Sequence, residues 1–167
     1  YALMMNDRTA MNVLTRQKAK LDKYNVVETY PSARNILILS QPTENSCVQV
    51  IEGDAPHYSP YEKGNVMLLG AYSETERILL DAPLHYPPSF LFGPEPAHDW
   101  CYIYQKATLA RQRGDWDEVY ALDAEASRKG SAPQDSIEWM PFLQASAILG
   151  DSERVVTIAP FIISSPF

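Results

Sequence analysis

Apolar residues in the C-terminal half of the chain recur with a helical period. Trp100, Ile103, Ala107 and Ala110 stand three, four and three residues apart, which places them on one face of a helix. Two of the four are alanines, small enough to let a neighbouring helix approach closely. Pro94 and Pro96 lie upstream, where a helix cannot yet have begun. Gly114 offers the positive-φ residue that stops a helix, and Asp115 can cap the next one, with Glu118 placed for the reciprocal half of a capping box. Val119, Leu122 and Ala126 form the apolar stripe of that second helix. Asp117 and Glu118 at its start and Arg128 and Lys129 at its end suit the helix dipole, and Gly130 and Pro133 close it. The pattern predicts an antiparallel helical hairpin over residues 93–130.

A weaker copy follows. Gly114-Asp115-Trp116-Asp117-Glu118-Val119 is echoed by Gly150-Asp151-Ser152-Glu153-Arg154-Val155, a shift of 36 residues that sets Trp139 against Ile103 and Ile158 against Leu122. A helix–turn–helix period near this length is that of tetratricopeptide-like repeats, about 34 residues long, and the small residues Ala107, Ala110 and Ala126 fit that pattern. Pro141 sits too deep for a helix starting at Asp135, so the copy's first helix is expected from about Glu138. Pro160 is expected to end its second after Ile158. An ordinary helical bundle with a chance echo is the alternative, since a free solenoid needs about three repeats.

The N-terminal half is patterned differently. Residues 6–23 carry Asp7 as a cap and a thin apolar stripe of Ala10, Val13, Leu14 and Leu21, which predicts a helix. A short strand is expected over 25–30. Residues 35–40 (NILILS) form a continuous apolar run of the length buried strands have. The polar turn 41–46 leads to a second strand over 47–52, with Val48 and Val50 on one face, so an antiparallel hairpin is expected. Residues 53–64 read as a loop, and 65–71 as strand or short helix. Ser73 and Glu76 can open a helix as a capping box, but an edge strand over 76–80 is preferred. Five prolines between Asp81 and Pro96 predict a stiff extended linker. The expected fold is α+β: a small antiparallel sheet with an N-terminal helix over 1–80, a linker over 81–97, and a tetratricopeptide-like helical hairpin repeat over 98–167.

Composition narrows the function classes. The 167 residues are 46% hydrophobic and 21% charged, enough to build a core. The net charge of −7 argues against nucleic acid or anionic lipid as a main partner, since both need clustered Lys and Arg. The one basic run (Arg16, Lys18, Lys20, Lys23) reads as a solvated helix face. The chain begins at Tyr1 and ends in the apolar run 161–167, neither of which resembles a polar, frayed terminus, so a fragment of a longer protein is expected. No run reaches the roughly 18–20 apolar residues of a membrane span. The two cysteines, Cys47 and Cys101, can pair in an oxidising compartment and would be two buried thiols in cytosol.

Catalytic motifs are missing from the sequence: it has no phosphate-cradling glycine loop, nucleophile elbow, zinc-binding histidine pair or calcium loop. His57, His85 and His98 lie in separate proline-rich loops, and no metal or other cofactor is expected. Tyr86, Phe90, Phe92, Trp100, Tyr102, Tyr104 and Trp116 cluster around the linker and first hairpin. Tyr86, Phe90, Trp100, Tyr104 and Trp116 are the candidates to line a groove for a sugar or peptide; the alternative is a core that pins the linker onto the helices.

The stretch Phe92-Gly93-Pro94-Glu95-Pro96-Ala97-His98-Asp99-Trp100-Cys101-Tyr102, continuing through Leu109-Ala110-Arg111-Gln112-Arg113-Gly114-Asp115-Trp116, resembles the soluble C-terminal region of large bacterial multi-spanning membrane proteins of the polyprenyl-phosphate glycosyltransferase type. The resemblance covers about residues 90–150. It implies an extracytoplasmic domain of a membrane-embedded parent, with the transferase's catalytic acids elsewhere, and in that setting Cys47 and Cys101 would be bridged. The function expected is a non-catalytic domain contacting a protein or glycan. The rivals are a small carbohydrate-active enzyme using loop carboxylates near Tyr86, Trp100 and Trp116, and a structural subunit docking through its apolar tail.

Overall fold

The computed structural model describes residues 6–16, 35–83, 86–95 and 97–163. The strand expected over 25–30, residues 17–23 of the expected N-terminal helix and the end of the apolar tail lie outside them; within them that helix ends at Leu14, and Arg16 has φ +51. Among the described residues the chain is mostly helical, with seven α-helices and a two-stranded antiparallel sheet. It divides into two compact units. One takes the chain up to Pro42 and again over Gln49–Arg77; the other takes Thr43–Val48 and the chain from Ile78 on.

In the first unit, helix α1 (Asp7–Leu14) is capped by Asn6, whose side chain accepts the Thr9 N–H at 2.9 Å. The cap therefore falls one residue before the expected Asp7, which sits in the first turn, where its charge suits the dipole. Strands β1 (Leu39–Ser40) and β2 (Gln49–Val50) pair Leu39 with Val50 and Ser40 with Gln49. The strands are shorter than the apolar runs, and the run 35–40 is not buried throughout. Ile38 is inside while Leu37 and Leu39 face out, and on the second strand Gln49 and Ile51 are inside while Val48 faces out. Alternation follows from a pleated strand with one covered face. Residues 65–71, open between strand and helix, fall in helix α2 (Gly64–Leu69) and a 3₁₀ turn at Gly70–Tyr72.

The expected edge strand over 76–80 does not form; Thr75–Arg77 is a 3₁₀ turn. Ser73 is used otherwise, its hydroxyl accepting the Ile38 N–H at 3.1 Å while Glu74 N–H donates to the Ile36 carbonyl at 2.8 Å. Ala10, Val13, Ile38, Ile51, Val66 and Leu69 make the core of this unit.

The second unit is helical. The expected linker is not extended throughout: Ser89–Phe92 forms a single turn, α3, started by the carbonyl of Pro88 and stopped by Gly93 at φ +80. Helices α4 (Trp100–Gln112) and α5 (Trp116–Lys129) are the predicted hairpin. Gly114 has φ +73 and Asp115 accepts the Glu118 N–H at 3.1 Å. The predicted faces, Trp100, Ile103, Ala107 and Ala110 against Val119, Leu122 and Ala126, are all buried.

A 3₁₀ turn at Ser136–Trp139 leads into α6 (Met140–Leu149), with Pro141 in its first turn, where a missing N–H costs nothing. Helix α7 (Ser152–Ile163) does not stop at Pro160. The ring removes one hydrogen bond on an exposed face, while the residues beyond it keep packing: Ile162 against the core and Phe161 stacked on Trp139 at 5.8 Å. Tertiary contact outweighs the local penalty.

Candidate functional site

Titratable chemistry is concentrated in the helical unit where the segment Thr43–Val48 meets the start of the 3₁₀ turn Ser136–Trp139. Cys47 is bridged to Cys101 on α4, 54 residues away. Next to the bridge, Glu138 accepts the Cys47 backbone N–H on Oε1 and the Trp100 indole N–H on Oε2, each at 2.6 Å. Asp135 accepts the Ser46 hydroxyl on Oδ2 at 2.9 Å and the Ile137 N–H on Oδ1 at 3.4 Å. Both carboxylates are almost wholly buried. Burial, opposed by those two hydrogen bonds and reinforced by the neighbouring Asp135, holds the Glu138 carboxyl above its ordinary 4.5. Burial also raises the Tyr104 phenol to about 12, with Glu138 adding to it.

Perturbed groups of this kind are what active sites use. Here, however, every carboxylate oxygen is aimed at a donor fixed by the fold, and neither acid has an open side for a substrate. The arrangement is a lock: two carboxylate oxygens and one disulfide hold the six-residue loop against the 3₁₀ turn and α4, and a third oxygen ties that turn to Trp100.

A second polar staple joins α5 to α7. Arg154 grips the buried Asp123 with both Nε, at 2.6 Å, and Nη2, and its guanidinium lies 5.6 Å from the centre of the Trp139 ring. At the α6–α7 turn Asp151 accepts the Arg154 N–H at 3.0 Å and the Tyr120 hydroxyl at 2.6 Å. The Tyr120 bond is the main cause holding the Asp151 carboxyl below its ordinary range, and it raises the Tyr120 phenol.

The five aromatics named from sequence do not share a surface. Trp100 and Tyr104 are 7% and 5% exposed, and Trp116 is packed against the same core. Trp100 contacts Trp139 and Phe142, with ring centroids 5.3 and 5.5 Å apart. Tyr86 and Phe90 stand 75% and 84% exposed. A groove needing Trp100 or Tyr104 as a lining side chain is therefore not built. His98 stacks on Tyr102 at 3.7 Å and bonds Glu95 at 2.8 Å. His85 lies outside the described residues. Among the described residues no three His, Cys, Asp or Glu side chains gather as a metal site would require, and no helix is long and apolar enough to cross a membrane.

No family model matches this chain, and neither a curated protein nor a solved structure is detectably similar to it. The site is therefore argued from its geometry alone. Sequence reasoning missed Ser46, Asp123, Glu138 and Arg154, and treated Asp135 only as a place for a helix to start. Their partners lie 31 to 91 residues away, and nothing in local spacing marks such pairs. The thiols were the one legible signal, because only two are present.

Proposed function

We propose that this chain is a non-catalytic interaction domain acting on the extracytoplasmic face of a bacterial membrane, as part of a membrane protein of the kind it resembles, and that it contacts a protein partner through its helical repeat. The observation that carries this reading is the Cys47–Cys101 bridge, because such bonds persist in oxidising compartments. Two features support it further. The turns at Gly114-Asp115 and Gly150-Asp151 are made alike, each with a glycine at positive φ followed by an aspartate accepting the N–H three residues on, as a tetratricopeptide-like repeat would require. Ile148 on α6 and Val156 and Ile163 on α7 stand exposed, apolar side chains that another polypeptide could cover. A sugar-binding groove is less well supported, since Trp100 and Tyr104, two of the aromatics it would need, are in the core.

The test is made in bacteria exporting the chain. Denatured without reductant, the exported protein is expected to take up no alkylating agent, whereas two alkylated cysteines would remove the compartment argument. A photo-crosslinking residue at Val156 is expected to capture a discrete polypeptide, and one at Asp117 is not. Labelling equal at the two positions, or none at Val156, would sink the partner claim.

A further inference from the structure

The turn α3 carries an apolar cluster that neither unit's core uses. Phe90, Leu91 and Phe92 are 84%, 68% and 72% exposed, and Tyr86 nearby is 75% exposed. Successive residues on a helix point about 100° apart, so three consecutive apolar side chains look out over more than half of the turn's circumference. A protein groove takes one helix face, anchored at positions three or four apart. Side chains exposed in consecutive directions are satisfied by a surrounding medium instead. From Tyr86 to Pro94 the sequence YPPSFLFGP contains no charged residue. Its backbone is also poor in free donors. Pro87, Pro88 and Pro94 have no N–H, Leu91 and Phe92 donate to the Pro88 carbonyl at 3.0 and 3.1 Å, and Gly93 donates to the Ser89 carbonyl at 2.8 Å. Unsatisfied backbone N–H and C=O groups oppose placing a loop among acyl chains; here six of the eight residues from Pro87 to Pro94 present no free N–H, and the Pro88 and Ser89 carbonyls are taken up within the turn.

We propose that Tyr86–Gly93 is a membrane-surface anchor: Phe90, Leu91 and Phe92 enter the acyl boundary of a bilayer, and Tyr86 sits at headgroup depth, where amphipathic rings collect. The contact is made by uncharged side chains in a chain of net charge −7, so it needs no anionic lipid and does not weaken with salt. It is weak and reversible, because stable anchoring takes more than one small apolar insertion. It uses residues other than Ile148, Val156 and Ile163, so either proposal can fail without the other.

The 167-residue chain is mixed with vesicles of phosphatidylcholine alone, and separately with vesicles of equal phosphatidylcholine and phosphatidylglycerol. In the F90W variant, fluorescence beyond that of the parent is expected to shift to the blue and to be quenched by brominated phosphatidylcholine; a V156W variant is expected to show neither. The bound fraction is expected to be unchanged by salt and to fall at least about tenfold with F90D and F92D combined, while the double variant melts with the parent. Should that variant unfold, quenching of F90W still decides the matter. Three results would overturn the proposal: no quenching of F90W, binding that requires phosphatidylglycerol and fades with salt, or a lipid-independent dimer abolished by F90D and F92D.

Discussion

In the sheet unit, β1 and β2 pair over two residues each, and Ile38, Ile51, Val66 and Leu69 are brought together by segments distant in sequence. In the helical unit, α5, α6 and α7 each pack on the helix before, and buried polar groups join segments the local packing would leave apart. The sheet unit uses exposed polar links, such as Arg77 donating to Asn35 Oδ1 at 2.6 Å, which stabilise little. The helical unit has exposed pairs too, such as Lys129–Glu125, and adds the sheltered Arg154–Asp123 pair and the buried carboxylates of Asp135 and Glu138. Local helical contacts let a sequence specify shape cheaply; the non-local lock then fixes which helices meet, and with what.

That contrast can be broken most sharply at the disulfide. Replacing Cys47 and Cys101 together by alanine is expected to destabilise the helical unit by about 2–4 kcal/mol. The loss should appear as faster amide exchange at Ile103 and Val119, with Ile51 in the sheet unit unaffected; equal loss in both units would mean they unfold as one. Next in size is Arg154→Leu, which strands the buried carboxylate of Asp123 and should cost about 2–3 kcal/mol in denaturant unfolding. Pairing it with Asp123→Leu should recover most of that, because an apolar pair has no charge left to solvate.

In the sheet unit the sensitive position is a close backbone approach. A Cβ on Gly53 would lie 2.3 Å from the Ser73 carbonyl oxygen. Gly53→Ala is expected to cost about 1–3 kcal/mol, seen first as exchange at Ile51.

Glu138→Gln offers one acceptor where two donors need one each, and should cost about 1–3 kcal/mol at low pH. The pH dependence has a definite sign. Glu138 is held above 4.5 in the fold, so the folded state binds its proton more tightly than the unfolded chain. Stability from this group is present below pH 4.5 and is lost as pH rises through the raised value. The parent's advantage over the variant should therefore shrink as pH climbs through that window; a widening gap would show the hydrogen bonds outweighing burial. The smallest effect is a gain. The Ser146 hydroxyl on α6 is buried and meets no partner, so Ser146→Ala should stabilise by up to about 1 kcal/mol.

The sequence by itself determined the first hairpin nearly residue by residue. Gly114 and Asp115, and the spacing of Trp100, Ile103, Ala107 and Ala110, act within a turn or two of themselves, where backbone sterics and helix periodicity leave little choice. It also determined that residues 35–52 hold an antiparallel hairpin, because two apolar runs flank a polar turn. Tertiary structure alone decided the rest. It shortened the strands and turned Leu37 and Leu39 outward, carried α7 past Pro160 because Phe161 and Ile162 had neighbours to pack on, and sent Trp100 and Tyr104 to the core while Tyr86 and Phe90 stayed out. It also chose Asp135 and Glu138 as partners of Ser46 and Cys47. Local rules have a range of about four residues, whereas the donors that satisfy a buried carboxylate can come from anywhere in the chain, and only the packed fold says from where.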